Sequence, residues 1–257
     1  MSILFDQIAF GPIKSRRFGL SLGINLLPLD NKICNFDCIY CECGWTDLKN
    51  VTNKFNNKTD ILDAINVKLK GMKEDGVKPD AITFAGNGEP TMHPDFSEII
   101  DGTIQLRNQY FPDVKLVVLS NATLIGNKDV FEALQKTDIK VLKLDAGTNE
   151  LFRLIDQPRA SKDISWYVEK LKDFHGELYI QTIFLTGLHN GKNVDNTSDA
   201  EVNAWLGHLK EIKPAHVMLY TIDREPPSGT IKKVSKEMLD TICSKVKDAG
   251  ISAAVYS

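Results

Sequence analysis

The chain has 257 residues, 42% of them hydrophobic and 25% charged, with 31 lysines and arginines against 34 aspartates and glutamates. That length can bury a sizeable core, and the net charge of −3 gives no general electrostatic case for nucleic acid, leaving only a local basic patch. No window approaches the roughly 20 consecutive apolar residues of a membrane span, and the opening MSILFDQIAFGPIKSRR lacks the pattern of a signal peptide; a cytoplasmic protein with no membrane partner is expected.

In chain order, LSLGINLLP reads as a first strand that runs directly into a cysteine-rich stretch. Helical spacing follows in Thr59–Gly71, where Ile61, Leu62, Ile65 and Leu69 recur. AITFAG is a buried strand, and a helix from about Pro94 carries Phe96, Ile99, Ile100 and Ile104. VKLVVLSN and DVFEALQK give the next strand and a short helix. IKVLKLD is a strand followed by helical patterns in NELFRLI and ISWYVEKLKDF. ELYIQTIFL is a long strand, after which Asn190–Ser198 is expected to be a mobile loop. Ser198 and Glu201 make a capping box for a helix with Val202, Trp205, Leu206 and Leu209 on one face. AHVMLYTID is a further strand, Ser235 opens a last helix carrying Leu239, Ile242 and Val246, and ISAAVYS is a short closing strand.

This alternation predicts a parallel sheet with right-handed crossovers, so a barrel, a partial barrel and a doubly wound sheet all fit. The near-continuous apolar strands are those of a sheet covered on both faces. One domain over residues 1–257 is expected, with its core at about 19–249.

Four of the five cysteines lie in KICNFDCIYCECGW: Cys34, Cys38, Cys41 and Cys43. In a reducing compartment, clustered thiols more often bind metal or do redox work than form disulfides. Cys34, Cys38 and Cys41, spaced C-x3-C-x2-C, can converge on one soft metal centre from a single loop. Three ligands would leave one iron of a 4Fe–4S cluster without protein ligation and open to a substrate or cofactor. Cys43 would crowd Cys41 as a fourth ligand and is assigned no role. A structural zinc site usually takes four ligands from two separated pairs; a zinc-stapled domain using Cys43, or a simple electron carrier, is the non-catalytic alternative. Cys243, beside Ile242 on an apolar helix face, reads as a core thiol.

With Tyr40 just before the third cysteine, CNFDCIYC resembles the signature of the radical S-adenosylmethionine (SAM) superfamily. The resemblance implies one 4Fe–4S cluster held by Cys34, Cys38 and Cys41, with SAM chelating the open iron and Tyr40 among the cofactor contacts. It also implies reductive cleavage of SAM to methionine and a 5′-deoxyadenosyl radical, and a partial (β/α)6 barrel resembling part of a TIM barrel. The strand ends then supply further cofactor contacts. GNGEP, with Gly86, Gly88 and Glu89, resembles the superfamily's GGE-type motif, which meets the methionine amino group; a glycine-rich turn is its plain alternative, and Asn87 splits the first two glycines. Ser120 and Asn121 would lie near the ribose or carboxylate of SAM. Asp145 would accept from the ribose hydroxyls, or instead cap the following helix. Gln181 would face the cavity, or be a satisfied interior amide, and Thr221 would neighbour the adenine.

The stretches FGPIKSRRFGLSLGINLLP, KLDAGTNELFRLIDQP and YTIDREPP resemble one branch, the proteins related to wyosine-tRNA synthetase and their short bacterial relatives of unknown substrate. No cysteine precedes Cys34, so the second cluster used in wyosine synthesis has no ligands in this sequence. Lys14, Arg16 and Arg17 next to the cluster, and Asp223 with Arg224, would hold an anionic substrate if they face the cavity; solvated charges or a structural ion pair are the alternative. The closely spaced Gly11, Gly19 and Gly23 suggest an ordered segment near the cluster. A flavodoxin- or ferredoxin-type reductant is implied as partner. Little chain follows the last helix, so a large substrate, such as a protein or other macromolecule, or a partner is expected to help close the barrel. The second reading of the same chemistry is an enzyme that activates a glycyl-radical enzyme.

Overall fold

The computed structural model describes residues 3–46, 55–224 and 226–256. Strand β1 (Ala9–Ser15) pairs antiparallel with β2 (Gly19–Ile24), so the segment rich in glycine and basic residues is an ordered hairpin. Six β/α units follow: β2 with α1 (Lys58–Glu74), β3 (Ala81–Phe84) with α2 (Phe96–Tyr110), and β4 (Lys115–Ser120) with α3 (Lys128–Gln135). Next come β5 (Ile139–Lys143) with α4 (Asn149–Ile155) and α5 (Ile164–Lys172), and β6 (Tyr179–His189) with β7 (Lys192–Asp195) and α6 (Asp199–Ile212). The last unit is β8 (His216–Thr221) with β9 (Ile231–Lys233) and α7 (Lys236–Asp248), and β10 (Ala253–Val255) ends the described chain.

The main sheet runs β1-β2-β3-β4-β5-β6-β8-β10, parallel from β2 onward and open between β1 and β10. It is a partial barrel, as expected. Successive side chains on a strand point to opposite faces, and β4 displays this directly. Leu116 and Val118 join the core beneath the helices, whereas Val117 joins Ala81, Val141 and Met218 in the lumen. Phe18, from the β1–β2 turn, packs on that lumen cluster.

The helices begin where the sequence places polar caps. Asn57, Asn127, Thr148, Ser198 and Ser235 each accept a hydrogen bond from a first-turn amide. The predicted capping box is only half formed. Ser198 Oγ accepts from Glu201 N, but the Glu201 carboxylate accepts from the amides of Gly147 and Thr148 at 2.8 and 3.2 Å, tying α6 to the segment that enters α4.

The expected mobile loop at Asn190–Ser198 is instead ordered. β6 continues beyond the barrel and pairs antiparallel with β7 on one side and β9 on the other. Leu185, Val194 and Ile231 of this extension pack against Ile39, Ile155 and Ile183. The extension thereby covers part of the barrel mouth, which the sequence leaves without an evident cover. Asn196 locks it in place: its Oδ1 accepts from Leu185 N at 2.9 Å, and its Nδ2 donates to Asp145 O and Ile183 O at 2.8 and 2.7 Å. These are buried backbone groups that lose their partner with the amide, so Asn196→Ala is expected to lower stability by about 2–4 kcal/mol. Chemical denaturation checks this, and a loss below about 1 kcal/mol would show that the extension is held otherwise.

Candidate active site

The loop from β2 to α1 carries the cysteines across the C-terminal ends of the strands, the face on which parallel barrels build active sites. Backbone bonds hold it on two sides. Ile33 N donates to Asn87 O and Glu89 N to Ile33 O, at 2.9 and 3.0 Å, on the β3 side. Asp37 N and Ile39 N donate to Asp156 O and Ile155 O, at 3.1 and 2.9 Å, on the α4 side. Gly88 has φ +131°, and a Cβ there would stand 1.8 Å from Ile33 O. Only glycine admits the loop this closely. A Cβ on Gly86 would stand 2.3 Å from Asn25 Oδ1, so both glycines answer to the packing of the loop itself. Asn87 bonds Phe5 and Pro28 backbone groups, which ties down the start of the chain.

Cys34, Cys38, Cys41 and Cys43 all line one cavity of about 200 Å³, with Tyr40, Gly86, Gly88, Glu89, Ser120, Asn121, Lys143 and Gln181 also on its wall. Burial pushes the Cys34 thiol up to about 11, with Lys32 opposing the shift, and holds Cys38 well above its ordinary value, with Lys143 opposing. Cys41 is lowered to about 5, first by the hydrogen bond from Cys43 and then, against burial, by Lys32. The Lys32 ammonium is buried and donates to Gly44 O at 2.8 Å and Asp37 Oδ1 at 3.4 Å. Burial works to lower its pKa, but the surrounding thiols and Asp37 outweigh that and raise it.

The strand ends organise the opposite wall. Glu89 is buried; its Oε1 accepts from Thr91 N, Thr91 Oγ1 and Ser120 Oγ, and its Oε2 accepts from Asn121 N at 2.6 Å. Burial raises the Glu89 pKa against these donors. Asn121 Nδ2 donates to Asn35 Oδ1 at 2.7 Å and reaches Cys34 Sγ at 3.6 Å. Gln181 accepts from Arg17 at 2.5 Å.

Asp145 is drawn into a buried polar cluster. Thr148, not Asp145, caps α4. The buried Asp145 carboxylate accepts from Ile183 N at 2.9 Å and from Tyr40 OH, and lies 3.2 Å from Lys143 Nζ. Lys143 also donates to Tyr40 OH and to Cys38 Sγ (3.6 Å), and lies 3.7 Å from Asp156 Oδ1, itself bonded to Cys38 Sγ. Burial and then the Asp145 charge hold the Asp156 carboxyl well above the usual range. Thr221 is outside the cavity lining; its hydroxyl donates to Phe184 O and accepts from Val234 N, both at 2.8 Å.

The basic residues divide. Arg16 pairs with Asp223 at 3.4 Å, linking the β1–β2 turn to the segment after β8, and Arg224 pairs with Glu42 of the cysteine loop at 2.9 Å. These pairs are half exposed and do not line the cavity. Lys14 is exposed on β1. Arg17 alone turns inward, against Gln181 and the Tyr220 ring. Lys32, Lys143, Asn35 and Asp156 were not singled out by motif. Lys143 carried a signal: with Ile139 and Val141 it occupies the lumen face of β5, an isolated cation on an apolar stripe.

The three thiols of C-x3-C-x2-C surround the cavity instead of meeting at a point. Among the described residues, no three His, Cys, Asp or Glu side chains converge as a single metal ion would require. A 4Fe–4S cluster takes thiolates at separate irons, so Cys34, Cys38 and Cys41 on one cavity wall would hold it, and the buried Lys32 on the same wall would supply positive charge to a centre carrying negative charge. The donor set therefore fits a 4Fe–4S cluster.

Comparison with known proteins agrees. The radical SAM superfamily model matches residues 31–201, and the chain belongs to that superfamily, whose members use a 4Fe–4S cluster and SAM. Within it, the chain is similar to a UPF0026 protein of Helicobacter pylori, with 34% identity over 90% of this chain and 71% of that protein. It is also 29% identical, over 93% of its length, to a protein of Brachyspira hyodysenteriae named GTPase Obg, of which it spans 33%. Among solved structures, a radical SAM methyltransferase from Sphaerobacter thermophilus superposes with TM-score 0.67 at 16% identity, covering 91% of this chain and 65% of that one. SuiB from Streptococcus suis, bound to the precursor peptide SuiA, superposes with TM-score 0.63 at 16% identity, covering 91% and 48%. These two likenesses concern the fold.

Proposed function

We propose that this chain is a radical SAM enzyme that cleaves SAM reductively and uses the resulting radical to take hydrogen from a substrate. The observation that carries the reading is the shared cavity, in which Cys34, Cys38 and Cys41 face Gly86, Glu89, Ser120 and Asn121. When bound, the cluster supplies one electron to SAM, whose cleavage yields methionine and a 5′-deoxyadenosyl radical.

The chain's own residues bind, orient and exclude water. Cys34, Cys38 and Cys41 hold the cluster, and Lys32 balances its charge. The Gly86 carbonyl and the Glu89 carboxylate receive the methionine amino group; Glu89 is kept in place by Thr91, Ser120 and Asn121. Ser120, Asn121 and Gln181 provide polar contacts along the remaining wall. Asp145, through Tyr40 and Lys143, positions the Cys38 side of the site, and Thr221 holds the β8 end against β6 and the segment entering α7. A flavodoxin- or ferredoxin-type protein delivers the electron. Among the described residues, the extension β6–β7–β9 covers part of the mouth, which suits a peptide or other large substrate.

Anaerobic reconstitution with iron and sulfide tests the reading. The expected product is a brown protein that, once reduced, converts SAM to equal amounts of methionine and 5′-deoxyadenosine. A colourless protein holding one tight zinc, with no cleavage, would replace it with the zinc-stapled alternative.

A further inference from the structure

Cys43 is the thiol of the cavity that a three-cysteine cluster does not use, and its placement is unusually constrained. Gly44 N donates to Cys41 O at 2.9 Å, Lys32 Nζ donates to Gly44 O at 2.8 Å, and Thr46 N donates to Asp37 Oδ1 at 2.9 Å. On the outer side, Ile3 N donates to Glu42 O at 2.8 Å and Arg224 clasps the Glu42 carboxylate. The turn bearing Cys43 is thus pinned over the cavity from both flanks. Its sulfur shares the cavity wall with Cys41 and donates to Gly86 O at 3.5 Å. A core thiol would face apolar side chains, as Cys243 does between Leu239 and Val246. Cys43 instead faces three cluster-binding thiols and the carbonyl that the proposed function assigns to the methionine end of SAM.

Resting on that function, we propose that Cys43 is a displaceable fourth ligand: without SAM its sulfur occupies the iron left open by Cys34, Cys38 and Cys41, and SAM replaces it. As the iron–sulfur bond forms, the thiol proton leaves to solvent. When SAM chelates the iron, that bond breaks, the sulfur takes a proton back, and no electron changes hands. The sulfur already lies on the cavity wall, so ligation asks for side-chain rotation and not for refolding of the pinned turn. Its consequence is a closed cluster whose open iron is shielded until the cofactor arrives.

The test uses the reconstituted wild-type chain and Cys43→Ala, with iron content measured first. Anaerobic iodoacetamide and mass spectrometry then read each cysteine with and without SAM. Cys43 is expected to be protected in the absence of SAM and alkylated in its presence, while Cys34, Cys38 and Cys41 stay protected throughout. Cys43→Ala is expected to retain the cluster and to bind SAM about tenfold more tightly, the change produced when about nine-tenths of the wild type is in the closed form. Equal alkylation of Cys43 with and without SAM, together with equal SAM affinity of the two proteins, overturns the proposal and leaves the proposed function standing. A wild-type chain that assembles no 4Fe–4S cluster overturns both.

Discussion

Replacing any one of Cys34, Cys38 and Cys41 by alanine is expected to abolish SAM cleavage while leaving the fold intact. The two halves of that expectation rest on different parts of the loop. The loop's course is set by backbone contacts: the Ile33–Gly88 and Phe36–Pro158 bridges, Arg159 N donating to Asn35 O, and Ile39 N donating to Ile155 O. Phe36 anchors it further, packed edge-on against Phe152 and Tyr167. None of these contacts uses a thiol, so circular dichroism of the apo protein should change little in the three variants, with the unfolding midpoint lowered chiefly in Cys38→Ala, whose sulfur bonds the buried Asp156. Losing a ligand itself should exceed the roughly 10–100-fold loss of metal affinity that follows from removing an outer-shell partner. Iron content and 5′-deoxyadenosine production should therefore collapse together in each variant. Normal iron content in any one of the three would show that the ligand set is wrong, and loss of iron in Cys43→Ala would show that four cysteines are obligatory.

Lys143→Met should be the most damaging single change outside the cysteines, and its first effect is on stability. The ammonium stands 3.2 Å from Asp145 Oδ2 and 3.7 Å from Asp156 Oδ1, with the two acids 0% and 1% exposed. Methionine fills much of the same volume but removes the cation these acids share. Breaking a buried charge set by deleting one partner costs about 3–5 kcal/mol, because the remaining charge has no water to turn to. The pH dependence gives the loss a signature. The Asp156 carboxyl is already held well above its ordinary value of 3.8 in the folded chain, by burial and then by Asp145. A carboxyl raised on folding contributes stability that is full below its unfolded value and is lost as pH rises through its folded value. Lys143 opposes that rise, so without it the Asp156 carboxyl is pushed further in the same direction, and the gap between Lys143→Met and wild type should narrow on acidification toward pH 5 and widen toward pH 8. Denaturation curves of the apo proteins at the two pH values decide this. A gap below about 1 kcal/mol, or one independent of pH, would mean that Lys143 is not the counter-charge of this cluster.

How far the molecule can be read from its sequence depends on the range of the interaction concerned. Strand and helix order is legible because apolar periodicity records which side of each element is buried: Ile61, Ile65 and Leu69 mark α1, and Val117 against Val118 marks the two faces of β4. Caps are legible because they are local, as at Asn127 and Ser235. The cysteine spacing is legible for the same reason, since one loop delivers the thiols. β7 and β9 are not, because both are short, polar at their exposed positions and stable only through pairing with the overhang of β6. Glu201 shows the same limit inside a local motif. Its spacing from Ser198 promises a capping box, yet two amides of the segment entering α4 take its carboxylate instead.

The assignments at the site divide along this line. Residue type and order along the chain are enough to choose the cysteine loop, the glycines and Glu89 at the end of β3, and Ser120 with Asn121 at the end of β4. Partnership is another matter, because it depends on which side chains from distant segments compete for one another. Asp145 is engaged by Lys143 and Tyr40, Arg16 by Asp223, and Arg224 by Glu42. Lys32 and Lys143 are ordinary lysines until folding buries them beside the thiols. Cys43 becomes significant only when the turn that carries it is pinned against Gly86. Periodicity and spacing are properties of the chain alone, whereas desolvation and charge pairing arise only once segments far apart in sequence enclose the same space.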